Sequence, residues 1–575
     1  MRAGHPVGRP VSLKSTAAKR GLLAAVVFAF WGGSLAVGFF LDDVHNLGSA
    51  VAAGIRPHAL VHGFTVFDPR SAQIWCLSRH ALHFFRPLFL LSLGLDHLLW
   101  GTHAFGYHLT NLALQVANVW MVHALLLRLK LPPPRALLAA TLFAAFAQQG
   151  VAVVWISGRT ELLLGTFVLA ASILHARAIV ERSRVAMVLS LVAAILALMT
   201  KENAVALPGY LILVEWALRP GGVPLRQAMR DAAKRLVPAT AIVLAFLAWR
   251  LLAFRQVGMP PPPYFVSPAN PAFPSFIAAK TVYYWFSWLT TFPVLPIAPV
   301  AFLRSHLVVA VVLTLVTAGG WMLIARRLRA APSVGPLFGW AAASLVPVAM
   351  VMASSHYLYL GNVAIAAIWA LALPLRGWRG RMALAATALV FAAQAAWNTV
   401  SYYRLSAQER AFAQAVRRVA PQVMRPGSEL YLVNLPLMAA HTGERLRVLD
   451  GARDLRPHVL TVSSDPFKVG PAPVAHWTDA RTLVLDLPHG LLPPPMGPVY
   501  RLMGVRADPG RTYPSGRAVV RPRAGPNGVI DRLVVRFADE AASRRADIVL
   551  FRAKGAEVEA ERLAPAGGPT AVFEP

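Results

Sequence analysis

Along residues 21–400, apolar runs alternate with short basic clusters. Most runs approach the roughly 20 residues that a helix needs to cross a bilayer. Eleven of them are predicted to be transmembrane helices: Gly21–Leu41, Phe105–Leu127, Ala136–Ile156, Leu162–Val180, Val185–Met199, Ala204–Leu218, Leu236–Phe254, Leu307–Ala325, Leu337–Met352, Leu358–Leu373 and Ala383–Val400. Two further apolar stretches differ. Phe84–Trp100 is interrupted by Arg86, Pro87, Asp96 and His97, and Ile277–Leu295 is crowded with Tyr283, Tyr284, Trp285 and Trp288. Both patterns suit helices lying at or re-entering the membrane surface.

The basic clusters orient the runs, because Lys and Arg are retained on the cytoplasmic side. Arg128, Lys130 and Arg135, then Arg182 and Arg184, then Arg326, Arg327 and Arg329 mark inner ends. This pattern predicts a cytoplasmic tail over 1–20, a transmembrane domain over 21–400 with an external loop over 42–104, and a periplasmic domain over 401–575. The first run exceeds a signal-peptide core of about 7–15 residues and is read as an uncleaved helix. Residues 401–575 hold 17 of the 26 acids and strand-like runs such as Leu430–Val433 and Leu483–Leu485, so a small mixed α/β or β-rich domain is expected there. The fold class is therefore an all-α polytopic membrane protein with a periplasmic C-terminal domain.

Composition supports this picture. The chain is 56% hydrophobic with 14% charged residues, where a soluble protein would carry about a quarter charged. A formal charge of +30 would suit a nucleic-acid binder. Its position in clusters between apolar runs excludes that reading in favour of membrane orientation. The excess of Arg over Lys and the abundance of Ala suit a GC-rich bacterial genome, and with the apolar runs the expected location is a bacterial inner membrane. One cysteine, Cys76, rules out an intrachain disulfide.

Acids are scarce before residue 401, so their positions are informative: Asp42 and Asp43 adjoin each other where the first apolar run stops. Ionisable groups at a membrane are costly and tend to be functional. On the predicted topology Asp42, Asp43, Arg86, Arg159, Glu161, Lys201, Glu202 and His356 all fall at outer helix ends. Helix ends are also where charges meet water, which accounts for any one of them singly. Together, acids and cations at an outer face suit transfer of a sugar from a polyprenyl phosphate. Arg and Lys hold the phosphate, and a carboxylate takes the proton of an acceptor hydroxyl. Asp42, Asp43 and His45 are also a candidate site for a divalent cation. His58 with His62 and His80 with His83 have a spacing open to zinc or to ordinary loop roles. His108 and Asn111, one turn apart, are placed to bond the aspartates or each other.

Several motifs resemble the C-type glycosyltransferase superfamily over roughly residues 21–375. They are Phe40-Leu41-Asp42-Asp43, Phe85-Arg86-Pro87-Leu88, Leu99-Trp100-Gly101 with Gly106 to Asn111, Gly158-Arg159-Thr160-Glu161, Thr200-Lys201-Glu202-Asn203 and His356-Tyr357-Leu358-Tyr359-Leu360. The likeness is strongest to protein O-mannosyltransferases that carry tetratricopeptide repeats, and weaker to lipid A aminoarabinose transferases. The resemblance implies an inverting enzyme using a lipid-linked sugar such as mannose, with a periplasmic protein or glycan as acceptor. It implies Asp42 or Asp43 as base, with Asp43 placed slightly ahead, and Glu161 as a second external acid. Arg86, Arg159, Lys201, His356 and Tyr357 would face the donor phosphate, supported by His108, Asn111 and Glu202. The relatives carry Arg where this chain has His356, and this chain lacks the repeats. The competing readings are a lipid-linked glycan flippase, which would show two related halves, and a non-catalytic envelope scaffold.

Overall fold

The computed structural model describes residues 13–54, 75, 85–220, 222–257, 266, 268–291, 303–304, 306–331, 333–351, 353–374, 377–452, 454–465, 467–491, 507–554 and 557–565. In chain order the helices are α1 (Leu13–Trp31), α2 (Asp43–Ala53), α3 (Pro87–Trp100), α4 (Ala104–Arg128), α5 (Pro133–Ala145), α6 (Gly150–Val154), α7 (Arg159–Val180) and α8 (Arg184–Leu198). They continue with α9 (Leu207–Ala217), α10 (Leu225–Val257), α11 (Phe273–Thr290), α12 (Leu307–Arg327), α13 (Val334–Leu345), α14 (Gly361–Ala372) and α15 (Gly377–Val419).

Among the described residues, five helices are long and apolar enough to cross a membrane: Ala104–Arg128, Ile156–Val180, Leu225–Leu252, Leu307–Arg327 and Gly380–Val419. A sixth span arises if the bent pair Pro133–Ala145 and Ala147–Val154 is one crossing. The expected count of eleven is not reached by length and composition, because several runs form shorter helices. α8 has 15 residues, and α13 and α14 have 12 each. Leu307, Val308, Leu315 and Leu323 of α12 are exposed. A helix that displays leucine and valine outward in this way is built for lipid.

Three predicted runs are broken for local reasons. The run Gly21–Leu41 is helical only to Trp31. Gly32 and Gly33 open a 3₁₀ turn, and the chain is not helical from Val37 to Phe40. The Asp42/Asp43 pair therefore opens α2 instead of closing the first helix. The run Ala136–Ile156 bends by 51° around Phe146, and its second piece is short. α13 stops at Leu345, ahead of the Val346-Pro347 step that disfavours helix.

α15 does not stop at Val400. It runs 43 residues, from among the apolar helices into the C-terminal region. There, among the described residues, α16 (Thr442–Val448) and α17 (Glu540–Arg545) accompany nine strands: β1 (Glu429–Val433), β2 (Arg456–Val459), β3 (Val474–Asp479), β4 (Thr482–Asp486), β5 (Tyr513–Ser515), β6 (Ala518–Ala524), β7 (Ile530–Phe537), β8 (Ala546–Lys554) and β9 (Glu557–Arg562). One sheet runs β2-β1-β8-β9, with β2, β1 and β8 parallel. The other is antiparallel in the order β3-β4-β7-β6-β5. β1 is buried along its whole length, as expected for an apolar strand at the centre of a parallel sheet. The expectation of a mixed α/β region matches these sheets. Its core, around Leu430, Val433, Val535 and Phe551, is a cluster of its own. A second cluster lies among the helices.

Candidate active site

The turn before α2 is held under strain. Leu41 sits at φ 54, in the left-handed region that costs a non-glycine residue about 1–3 kcal/mol. Two side chains of α15 grip this turn: Ser406 Oγ accepts from Gly38 N at 3.1 Å, and Glu409 Oε2 accepts from Leu41 N at 3.1 Å. Strain held by a distant helix fixes where the next two side chains point.

Those side chains are Asp42 and Asp43, and they have different environments. Asp43 is 1% exposed, and its carboxylate accepts from Ser157 N at 2.8 Å and from Phe40 N at 3.3 Å. Burial and the adjoining Asp42 still hold its pKa well above the ordinary value. Asp42 is half-buried, and its Oδ1 is shut off from solvent with no hydrogen-bond partner among the described residues. Burial raises its pKa, opposed by the charges of His441 and His45, a hydrogen bond from Ser157 and the charge of Arg86. That oxygen keeps lone pairs that no described donor occupies. Asn46 completes the wall by donating from Nδ2 to Ser157 Oγ at 2.9 Å.

A second pocket gathers cations. Lys201 Nζ lies 2.5 Å from Glu161 Oε1, and His356 Nε2 lies 4.0 Å from the same oxygen. Lys201 also stands over the Tyr357 ring at 5.3 Å. Glu202 is bracketed by Arg86 at 3.2 Å and Arg250 at 3.3 Å. Against the effect of burial, these two arginines hold Glu202 down at about 2. Burial, followed by the charges of Lys201 and Arg86, holds His356 neutral, with its pKa well below the usual value. Among the described residues, three cations (Lys201, Arg86 and Arg250) stand against two carboxylates (Glu161 and Glu202), an excess that suits an anionic group. Leu88 N donates to Met199 O at 3.3 Å and ties the start of α3 to the Lys201 turn.

Both pockets hang on one segment. Ser157 bonds Asp43, and Glu161, four residues on, bonds Lys201. Gly158 lies between them because a side chain there would collide with the backbone: a Cβ would come 2.3 Å from Val151 O.

Arg159 was expected to hold donor phosphate and instead is wholly internal. It meets Asp96 at 2.6 Å, donates from Nε to Asn111 Oδ1 at 2.7 Å and from Nη2 to Tyr107 O at 2.8 Å, and reaches Ser92 through Nη1. Every nitrogen of its guanidinium is engaged, so it braces α3, α4 and α7 and has no donor left for a ligand. Asn111 serves the same brace and also donates to Val153 O and Trp155 O, so it bonds neither the aspartates nor His108. His108 is fully buried and makes no hydrogen bond to either aspartate among the described residues.

Among the described residues no group of three His, Cys, Asp or Glu side chains is arranged to hold a metal ion. The candidate Asp42–Asp43–His45 set does not fit one. Asp43 is taken by backbone donors and His45 by Glu444 at 3.1 Å. His58, His62, His80, His83 and Cys76 lie outside the described residues.

Sequence reasoning missed Asp96, Arg250, Glu409, His441 and Glu444. Asp96 had a signal, being an acid inside an apolar run. Arg250 had a weak one, as a cation at an outer helix end. The other three lie in a region where acids and histidines are ordinary.

No family model matches the chain. It is similar to Tmtc1, a protein O-mannosyl-transferase of Drosophila melanogaster, with 31% identity over 189 residues, 32% of this chain. The chain thus spans only about a fifth, 21%, of that relative's length. This similarity bears out the resemblance to the O-mannosyltransferases inferred from the motifs. Among solved structures, ArnT from Cupriavidus metallidurans bound to undecaprenyl phosphate aligns with a TM-score of 0.42 and 14% identity over 92% of this chain and 99% of that one. An Archaeoglobus fulgidus oligosaccharyltransferase tethered with an acceptor peptide aligns with a TM-score of 0.42 and 12% identity, covering 78% of this chain and 64% of that one.

Proposed function

We propose that this chain is a multi-pass membrane glycosyltransferase that moves a sugar from a polyprenyl phosphate to an acceptor hydroxyl at the outer face of a bacterial inner membrane. The observation that carries this reading is the pairing of the two pockets on one segment: a carboxylate oxygen on Asp42 with no partner among the described residues, beside a pocket that gathers Lys201, Arg86 and Arg250.

In this reading the donor phosphate enters the second pocket. Lys201 and Arg86 exchange part of their pairing with Glu161 and Glu202 for the anion, and Tyr357 flanks it. Neutral His356 contributes a hydrogen bond, not a charge. Asp42 takes the proton of the acceptor hydroxyl as its oxygen bonds to the anomeric carbon. The bond from that carbon to the phosphate oxygen breaks, and its electron pair leaves on the polyprenyl phosphate. Attack from the face opposite the leaving group inverts the configuration. The cations stabilise the charge that grows on the leaving phosphate. Asp43 holds Ser157 and the Leu41 turn in register, so the role first given slightly to Asp43 passes to Asp42. Mannose is the sugar suggested by the family likeness, and a periplasmic protein or glycan is the acceptor.

The test is transfer in membranes supplied with polyprenyl phosphate sugars, wild type against Asp42→Asn. Loss of transfer with normal insertion supports the reading, and equal activity in the two proteins overturns it.

A further inference from the structure

The Asp42 pocket is closed by residues that the transfer step above does not use, and they come from the C-terminal region. Glu444 of α16 is 1% exposed and lies 399 positions from His45 in sequence. Its Oε1 stands 3.1 Å from Nδ1 of His45, and its Oε2 stands 3.0 Å from Nδ1 of His441. One carboxylate thus holds one imidazole on each oxygen, and the two rings are 6.5 Å apart.

Packing keeps this arrangement in place. Val448 and Leu449 pack against the apolar cluster that contains Phe39, Val44 and Leu47. A Cβ at Gly48 would stand 3.1 Å from Val448 Cγ2, so α16 is seated closely on α2. A carboxylate this deeply buried persists in a fold only when its charge is met. The nearest arginine contact, Arg447 at 3.7 Å, belongs to a side chain that is 39% exposed, so the two rings hold the closer positions.

We propose that Glu444 and His441 are positioning residues for Asp42: the C-terminal region completes the pocket by seating two imidazole rings beside the base. The proposal rests on the reading of Asp42 as the base. Among the described residues, Glu409 on α15 also acts on His441, and Arg447 on α16 approaches Glu444; Arg445 on α16 acts on Glu409 with Arg410 and Asp450 beside it, and Arg86 at the start of α3 and Asp43 on α2 act on Asp42.

The arrangement has a definite electrostatic consequence. Burial works against a charged His441, but the hydrogen bond and charge of Glu444 raise its pKa to about 9. His441 is therefore a cation at neutral pH, and it helps keep Asp42 ionised and ready to accept a proton. Without Glu444 the ring reverts toward its ordinary value and Asp42 becomes harder to ionise.

The experiment uses the full chain in membranes that carry its native acceptor, with polyprenyl-phosphate mannose as donor, comparing wild type with Glu444→Gln, Glu444→Asp and His441→Gln across pH. Glu444→Gln and His441→Gln are expected to lower kcat about tenfold at neutral pH. Their acid limb should move up by about one pH unit, with KM for the donor little changed. Glu444→Asp should recover part of both. Val448→Ala, at the docking contact, should reduce stability and leave the limb in place.

An unmoved acid limb in Glu444→Gln, with Asp42→Asn inactive, overturns the proposal and leaves the transfer reading standing. Asp42→Asn matching wild type overturns both. Thermal unfolding in detergent provides a readout that needs no substrate. His441 has a folded pKa above its ordinary 6.5, so its stabilisation is complete below that pH and is lost as pH rises through about 9. The stability advantage of wild type over His441→Gln should shrink over this window, and a constant difference counts against the contact.

Discussion

The Asp42 pocket and the Lys201 pocket share one segment of chain and are built on opposite principles. Around Lys201 each carboxylate faces a cation directly: Glu161 faces Lys201, and Glu202 faces two arginines. Around Asp42 an acidic oxygen has no donor among the described residues, and the compensating charges stand on rings held by Glu444. A network of closed ion pairs can exchange a partner for an incoming anion. An unpartnered oxygen can take a proton. In the proposed reaction this difference would separate binding from chemistry, and each half of it can be broken separately.

The largest effect is expected from removing the unpartnered oxygen. Asp42→Asn should cut kcat for sugar transfer by about 10²–10⁴-fold with KM for the donor nearly unchanged, measured as steady-state transfer in membranes. A rise in KM alone would place Asp42 in binding and erase the contrast between the pockets.

Opening an ion pair in the other pocket should act on the fold as well. Lys201→Met leaves Glu161 buried without its cation and should destabilise the protein by about 3–5 kcal/mol, read as thermal unfolding in detergent. Lys201→Met combined with Glu161→Leu should regain most of that stability and still fail to bind donor. Stability that stays low in the double variant would deny that the pair is a closed unit.

Arg159 lies on the segment that both pockets share and tests whether the brace is structural. Arg159→Lys keeps the charge facing Asp96 and loses the fork that reaches Asn111, Tyr107 and Ser92 together, at a cost of about 1–3 kcal/mol. The donor KM should change little, since the guanidinium has no free face.

The smallest effect concerns pH. Glu202 has its folded pKa lowered to about 2, so its ion pairs stabilise the protein above its ordinary 4.5 and the contribution fades as pH falls toward about 2. The gap in melting temperature between wild type and Glu202→Gln should close over that interval. A gap that stays open would show that the glutamate acts through its shape and not its charge.

Much of the helical architecture was legible because apolar length is a property of the local chain. The spans at Ala104–Arg128 and Leu307–Arg327 lie within a few residues of the predicted runs. The breaks at Gly32 and Phe146 were not read, because an apolar run continues through each of them. The internal pairing of Arg159 was not read for a different reason. A motif arginine at a helix end looks the same from sequence whether it faces a ligand or an acid on another helix, and Asp96 lies 63 positions away.

The amino-acid sequence alone determined that the chain belongs in a membrane, that a sheet-forming region follows the helices, and that Asp42, Asp43, Glu161 and Lys201 are rare charges set in apolar surroundings. Hydrophobic length and the rarity of charge in apolar surroundings are enough for that. Which carboxylate oxygen lacks a partner among the described residues, and that Glu409 holds the turn before it and Glu444 the His45 ring after it, was decided only in three dimensions. Those contacts join residues more than 360 positions apart, and pairing at that distance depends on how α15 and α16 pack, which no local pattern encodes.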